Sequence, residues 1–193
     1  MLSSKTLIVD NYDSFTFNLL HIIEAILNED VEVKRVDEID RQDLAAFHTI
    51  VFSPGPGLPD ESTNLLNIMR ESMRLEKRIL GVCLGLQAMA VAEGAELKNL
   101  ETVHHGVSEQ IHISHPDSIL YQNCSVDPFI GRYHSWVVNE EKLPTCWIIT
   151  SRDKHGEVMS MEHSTKPFYG IQFHPESVLT PEGRAILKGF IEG

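Results

Sequence analysis

Cys83 lies in a pattern of small residues that could make it a nucleophile. Residues 78–82 form a short apolar run typical of a buried strand, and residues 88–92 are good helix formers. Gly81 and Gly85 flank the thiol and allow close backbone approach in a sharp bend between strand and helix. The positive end of a helix dipole favours thiolate over thiol. We therefore predict that Cys83 attacks an electrophilic carbon, rather than being an inert buried cysteine.

His174 and Glu176 are candidates for the base and the orienting group that such a thiol requires. We expect residues 169–173 to form the strand that carries them. In an extended segment, residues two apart point to one face, and Pro175 keeps His174 out of the helical region. The carboxylate can then orient the imidazole while the imidazole takes the thiol proton. The alternative, a surface histidine beside a solvated glutamate, is disfavoured by the presence of Cys83.

Two backbone N–H groups are candidates for holding a developing oxyanion. The N–H of Leu84, directly after the predicted nucleophile, would point at the same space. Residues 53–57 read Ser-Pro-Gly-Pro-Gly, follow the apolar strand 49–52 and form a stiff loop that can present the Gly57 N–H. The loop is not a phosphate loop, because no Lys-Ser/Thr pair follows its glycines.

These residues resemble those of the class I, or triad-type, glutamine amidotransferases. Within that family, the chain is similar to the glutaminase subunits of anthranilate synthase and aminodeoxychorismate synthase. The matching segments run along the whole chain and comprise residues 10–16, 53–57, 81–87, 105–106, 132–135 and 172–177, with Thr180. The Gly-x-Cys-x-Gly turn together with Gln-Phe-His-Pro-Glu-Ser is specific for the superfamily. Asn-Tyr-Asp-Ser-Phe-Thr and Arg-Tyr-His-Ser narrow the resemblance to the branch that uses chorismate.

The resemblance implies a role for each matching site residue. It makes Cys83 the nucleophile, with His174 and Glu176 as its partners, acting on L-glutamine through a thioester. It also places the bound glutamine against a set of residues along the chain, namely Gly55, Pro56, Gly57, Gln87, Ser135 and Trp136. The ammonia would pass to a chorismate-binding partner chain. This chain would need no cofactor or metal, and Mg²⁺ would belong to the partner.

The resemblance leaves the final product open between two pathways. We expect the glutaminase subunit of anthranilate synthase, in tryptophan biosynthesis. The alternatives are the glutaminase subunit of aminodeoxychorismate synthase, in folate biosynthesis, or a subunit shared by both. Another Cys-dependent hydrolase, such as a γ-glutamyl hydrolase, would not need a partner that accepts ammonia. A non-catalytic regulatory subunit would not need the three predicted catalytic residues.

Three positions depart from the usual family pattern. The family commonly has His where this chain has Leu86, Lys where it has Val107, and Leu where it has Trp136. None of the three is a predicted catalytic residue. We expect them to change the polarity around Gln87 and the contact with the partner chain.

Composition limits the class of protein. A chain of 193 residues is long enough for one α/β domain, which we assign to residues 1–193. The net charge of −12 argues against nucleic acid and anionic membranes as partners. No apolar stretch is long enough to span a membrane, and no charged-then-apolar leader precedes the first strand. Three widely spaced cysteines argue against a disulfide scaffold and favour a reducing cytoplasm.

The pattern of predicted elements indicates the fold that must position these groups. Strands and helices alternate in the first half, which predicts a mostly parallel central sheet flanked by helices, as in flavodoxin-like folds. Short strands with turns follow and predict a small antiparallel sheet in the second half. We place strands at residues 6–9, 31–35, 49–52, 78–82, 107–113, 129–133, 147–151, 158–163 and 168–173, and helices at 15–27, 64–75 and 182–191 as well as after Cys83. Active groups are then expected at the carboxyl ends of the parallel strands.

Overall fold

The computed structural model describes residues 5–193. Its strands are β1 (Thr6–Asp10), β2 (Glu32–Arg35), β3 (Thr49–Phe52), β4 (Arg78–Val82), β5 (Leu97–Asn99), β6 (Val107–Gln110), β7 (His112–Ile113), β8 (Phe129–Arg132), β9 (Trp136–Val138), β10 (Trp147–Arg152), β11 (Val158–His163) and β12 (Phe168–Ile171). Its α-helices are α1 (Thr16–Leu27), α2 (Thr63–Arg74), α3 (Leu84–Ala92) and α4 (Gly183–Glu192). The first four residues of the predicted domain, where we expected no leader, lie outside the described residues.

Eight strands form the central sheet, in the order β2-β1-β3-β4-β12-β11-β10-β7. The five strands from β2 to β12 run parallel to one another, and the last three pairings are antiparallel. Two separate two-stranded antiparallel sheets, β5-β9 and β6-β8, accompany the large one. The predicted fold class, a mostly parallel mixed sheet flanked by helices with antiparallel pairing in the second half, is confirmed.

The side chains of the parallel strands alternate between two apolar layers, because successive residues of a strand face opposite sides of the sheet. On β1, Leu7 packs in the layer that contains α2 and α3, whereas Ile8 packs in the layer that contains α1 and α4. The sheet is therefore enclosed by a pair of helices on each face. Within the described part of the chain, none of these helices combines the length and apolarity needed to cross a bilayer.

The second half differs from the expected elements by more than one residue at four places. The predicted strand 107–113 is interrupted at Ile111, whose buried side chain joins the core, and its two parts pair in different sheets. Strand β12 ends at Ile171 rather than at residue 173. The strands β5 and β9 were not predicted, because segments of three residues carry too little periodicity to be recognised.

Candidate active site

Cys83 lies at the point where β4 ends and α3 begins. Its backbone has φ 53° and ψ −103°, a conformation that residues other than glycine rarely adopt. The N–H of Cys83 donates to the carbonyl of Ile171 at 2.8 Å, which ties the bend to the neighbouring strand β12. The side chain is 7% exposed. A strained conformation held by its surroundings is a common feature of functional sites.

The two glycines beside Cys83 are required by close packing. A Cβ atom at Gly81 would lie 2.5 Å from the backbone of Gly85. A Cβ atom at Gly85 would lie 2.6 Å from the backbone oxygen of Phe52, the last residue of β3. Real Cβ atoms do not approach backbone this closely, so only glycine allows α3 to start directly over the ends of β3 and β4.

His174 and Glu176 form a buried hydrogen-bonded pair beside Cys83. Nδ1 of His174 lies 2.6 Å from Oε1 of Glu176, and Nε2 of His174 has no hydrogen-bond partner within residues 5–193. Burial by itself would lower the pKa of His174, but the interactions with Cys83 and Glu176 outweigh it and raise that pKa to about 10. The imidazole is therefore held in an environment that stabilises its protonated form.

The route by which Glu176 reaches His174 differs from the expected one. The segment is a turn rather than an extended strand, and the N–H of Ser177 donates to the carbonyl of His174 at 3.3 Å. The turn is held further by Thr180, whose hydroxyl donates to the same carbonyl at 2.6 Å. A turn brings two side chains together as effectively as strand alternation does, so the residue pair was recognised although its conformation was not.

Aromatic rings and backbone contacts fix the position of the imidazole. The ring of Tyr133 packs against His174 with centroids 4.8 Å apart, and the ring of Phe15 meets it edge-on at 5.9 Å. The N–H of His174 donates to the carbonyl of Gly131 on β8 at 3.0 Å. The small antiparallel sheet β6-β8 therefore helps to position the His174 imidazole at the carboxyl ends of the parallel strands.

A cavity of about 350 Å³ opens next to Cys83 and His174. Its lining comes from the loops after β1 and β3, the segments that carry Cys83 and His174, and the residues that flank the β6-β8 sheet, namely Tyr12, Asp13, Ser14, Phe15, Pro54, Gly55, Pro56, Cys83, His105, Tyr133 and His174. Burial raises the pKa of the Asp13 carboxyl above its usual range. The cavity lies at the carboxyl ends of parallel strands, where open α/β sheets bind their ligands.

The Ser-Pro-Gly-Pro-Gly loop is anchored to the loop after β1. The N–H of Asn11 donates to the hydroxyl of Ser53 at 2.9 Å, and the side-chain amide of Asn11 donates to the carbonyl of Ser53 at 2.9 Å. A Cβ atom at Gly55 would lie 2.7 Å from Asn11 and 2.8 Å from Leu84. Gly57 has φ 76°, and its Cα faces the carboxylate of Glu61. The loop therefore has a defined conformation and is in direct contact with its neighbour.

The remaining predicted binding residues, Gln87, Ser135 and Trp136, lie outside the cavity lining. Gln87 is buried, and its side-chain amide donates to the carbonyl of Trp136 at 2.9 Å. Ser135 precedes Trp136, and its carbonyl accepts the N–H of Leu100 at 2.7 Å. Of the predicted site residues, all of which lie within residues 5–193, those absent from the cavity lining are Gly57, Leu84, Gln87, Ser135, Trp136 and Glu176, the last of which lies behind His174.

The sequence matches the family model for glutamine amidotransferase class-I over residues 7–192. The chain belongs to the class-I glutamine amidotransferase family. A protein of Haloarcula marismortui named anthranilate synthase component II is 40% identical over 192 residues, which cover 97% of each chain. A Bacillus subtilis protein named aminodeoxychorismate/anthranilate synthase component 2 is 36% identical over 188 residues, covering 96% of this chain and 95% of its own.

A solved structure supports the fold of this glutamine amidotransferase. A glutamine amidotransferase from Thermotoga maritima superposes with a TM-score of 0.83 at 14% identity, covering 97% of this chain and 96% of its own. At that identity the likeness concerns the fold alone. The resemblance inferred from the sequence motifs is confirmed by the family match, and the chain is an enzyme of the amidotransferase class.

Two other histidines of this amidotransferase are unsuited to act as the base. Burial and the neighbouring Arg132 guanidinium lower the pKa of His134 to about 3. Both ring nitrogens of His134 are engaged, one with Arg132 at 3.2 Å and one with the carbonyl of Trp136 at 3.1 Å. His163 packs against Trp147 at 5.3 Å between centroids, and its Nδ1 accepts two backbone N–H groups. Leu86, where the family commonly has His, is fully buried in the core.

Three residues beside the site were given no role by sequence reasoning. Asp13 and Tyr133 line the cavity, and the amide of Gln172 donates to the sulfur of Cys83 at 3.5 Å. All three belong to segments that matched the family, but a motif match does not say what each residue contacts. For Gln172 a local signal exists, because it lies in the strand that we expected to carry His174.

Proposed function

We propose that this amidotransferase hydrolyses the side-chain amide of L-glutamine as the glutaminase subunit of anthranilate synthase. The observation that carries the proposal is that His174, which lines the same cavity as Cys83, is hydrogen-bonded on its other side to the buried Glu176. A nucleophile–base–acid triad consists of a thiol, an imidazole with a free Nε2, and a carboxylate that is hydrogen-bonded to the other ring nitrogen.

In the proposed reaction, Cys83 attacks as the thiolate. Its sulfur bonds to the amide carbon of glutamine, and the carbonyl electrons move to the oxygen. His174, whose raised pKa keeps a proton available, transfers that proton to the departing nitrogen. Ammonia leaves and a γ-glutamyl thioester remains. The same imidazole then takes a proton from water, whose oxygen bonds to the thioester carbon as the C–S bond breaks. Glutamate leaves, and the Cys83 thiolate and protonated His174 are restored.

The backbone N–H groups of Leu84 and Gly57 hold the oxyanion in this proposal. Leu84 is the first residue of α3, where N–H groups have no partner within the helix. Preorganised donors of this kind are often the largest single contribution to catalysis. The substrate lies against the loop of Gly55, Pro56 and Gly57, and against the group comprising Gln87, Ser135 and Trp136.

The ammonia acceptor is proposed to be a chorismate-binding synthase chain. The relatives from Haloarcula marismortui and Bacillus subtilis support this, because both are named as second components of chorismate-using synthases. We assign the Mg²⁺ expected for chorismate chemistry to the partner, and no cofactor to this chain. We place the complex in the cytoplasm. The Bacillus name, which joins both activities, also favours the alternative that one subunit serves anthranilate and aminodeoxychorismate synthesis.

Reconstitution with a partner tests the proposed pathway. The purified chain is mixed with each chorismate-binding synthase of the same organism, and anthranilate and aminodeoxychorismate are quantified with glutamine as nitrogen donor. We expect anthranilate to form from glutamine when both chains are present. The partner alone should form anthranilate only when an ammonium salt is supplied. Aminodeoxychorismate as the only product would transfer the assignment to the folate branch. Glutamine hydrolysis that neither partner accelerates or couples to product would favour a stand-alone hydrolase instead.

The isolated chain is expected to be a poor glutaminase. Gly57 adopts φ 76°, so the peptide units beside it can flip and move its N–H out of line, and a misaligned oxyanion donor costs roughly 10²–10³ in rate. Partner docking can reach the loop through the Asn11–Ser53 hydrogen bonds. We expect steady-state glutaminase activity to rise about 10²-fold with the partner and chorismate. Equal rates in the two conditions would rule out this activation and leave the chemistry of Cys83 unaffected.

A further inference from the structure

We infer that Gln172 is a positioning residue for Cys83, donating a side-chain amide hydrogen bond to the nucleophilic sulfur. The donor nitrogen Nε2 lies 3.5 Å from Sγ. The inference rests on the proposed function, since it assumes that Cys83 acts as a thiolate. It assigns to Gln172 a task that the nucleophile, base and carboxylate do not perform, namely to hold the sulfur with an uncharged donor.

The register of two parallel strands places Gln172 beside Cys83. Ile171 of β12 pairs with Val82 of β4. The residues that follow them, Gln172 and Cys83, are therefore neighbours. The N–H of Cys83 donates to the carbonyl of Ile171, and the N–H of Gln172 donates to the carbonyl of Met159 at 2.8 Å. Gln172 is fully buried. Its backbone and its surroundings therefore leave its side chain little freedom.

A second amide fixes which end of the Gln172 side chain meets the sulfur. Nε2 of Gln87 donates to Oε1 of Gln172 at 3.2 Å and to the carbonyl of Trp136 at 2.9 Å. Because an amide oxygen cannot donate, the oxygen of Gln172 must face Gln87 and its NH₂ group must face Cys83. The same Trp136 carbonyl also contacts Nδ1 of His134, which holds the acceptor at the far end of this series of hydrogen bonds.

An N–H group favours the charged form of the sulfur that it contacts. Hydrogen bonds to ionised acceptors are about twice as strong as those between neutral groups. The titratable groups that face Cys83 from other segments are those of the cavity, namely Tyr12, Asp13, His105, Tyr133 and His174, with Glu176 behind His174. Among these neighbours, Gln172 supplies a donor whose protonation does not change with pH.

The test is the pH dependence of Cys83 alkylation by iodoacetamide, read by mass spectrometry of the peptide that carries Cys83. Gln172→Met keeps the length of the side chain and removes the donor. We expect it to raise the midpoint of the alkylation profile by about 1 to 2 pH units, as expected for one lost hydrogen bond to a charged group. Gln172→Glu replaces the donor with a carboxylate and is expected to raise the midpoint further. Gln110→Glu, the same change at an exposed position, is the matched control and should leave the midpoint unchanged.

A measurement on the unchanged chain keeps the inference testable if either variant unfolds. In ¹⁵N-labelled protein, the side-chain amide resonances of Gln172 should titrate with the midpoint of Cys83 alkylation. Any of three results would overturn the inference. The first is a wild-type alkylation midpoint in folded Gln172→Met, and the second is a midpoint shift in Gln110→Glu as large as that in Gln172→Glu. The third is a Gln172 amide resonance that does not change with pH. If Cys83→Ala instead retained glutaminase activity, the proposed function would fail first, so the two failures are distinguishable.

Discussion

Replacing Cys83 with alanine is expected to lower glutamine-dependent product formation by about 10⁴-fold or more, as nucleophile deletions do in comparable enzymes. No other group is placed to form the thioester, since the remaining cysteines, Cys124 and Cys146, do not line the cavity among the described residues. Ammonia-dependent synthesis by the partner should persist, because the nitrogen source is then external. The measurement is product formation by the reconstituted complex with glutamine and, separately, with an ammonium salt.

Cys124 offers a matched control for the cysteine experiment. Burial and the nearby Glu182 raise the pKa of its thiol to about 11, so it is expected to remain unreactive at neutral pH. Cys124→Ala should keep nearly all glutamine-driven activity. A glutamine analogue with an electrophilic γ-carbon should label Cys83 and neither Cys124 nor Cys146. A Cys83→Ala enzyme that keeps most of its glutamine-dependent rate would show that the nucleophile is another residue.

Replacing His174 with alanine is expected to slow acylation by about 10²–10⁴-fold, the range for loss of a general acid or base. Glutamine binding should remain largely intact, because the predicted contacts to the substrate come from other residues. Glu176→Ala should cost less, since its carboxylate only orients the imidazole through the 2.6 Å contact and stabilises its charge. Single-turnover measurement of thioester formation separates this loss from any change in binding.

His163 is the control for the choice of base. Its half-buried ring packs against Trp147 and Phe168, outside the cavity that holds Cys83, so folded His163→Ala should keep an acylation rate within a few-fold of the wild type. A larger loss of activity at His163 or His134 than at His174 would show that the imidazole was assigned to the wrong position.

Much of the fold could be predicted because its local signals are strong. The strands at residues 49–52, 78–82 and 158–163 have the predicted bounds. Long apolar strands and amphipathic helices carry a periodicity that a single sequence reveals. The short strands β5 and β9 carry none, and the predicted strand 107–113 continued through Ile111 because pairing with two different sheets leaves no local trace.

The sequence by itself indicated the bend at Cys83, because Gly81 must leave room for the nearby backbone of Gly85, although the need for glycine at residue 85 comes from Phe52 on β3. It also determined that His174 and Glu176 would be neighbours, since they are two residues apart. Only the tertiary structure decided the contacts between distant segments, such as Gln172 with Cys83 and Tyr133 with His174. The physical reason is that these contacts depend on strand order and register, which are set by the packing of the whole core rather than by any short stretch of chain.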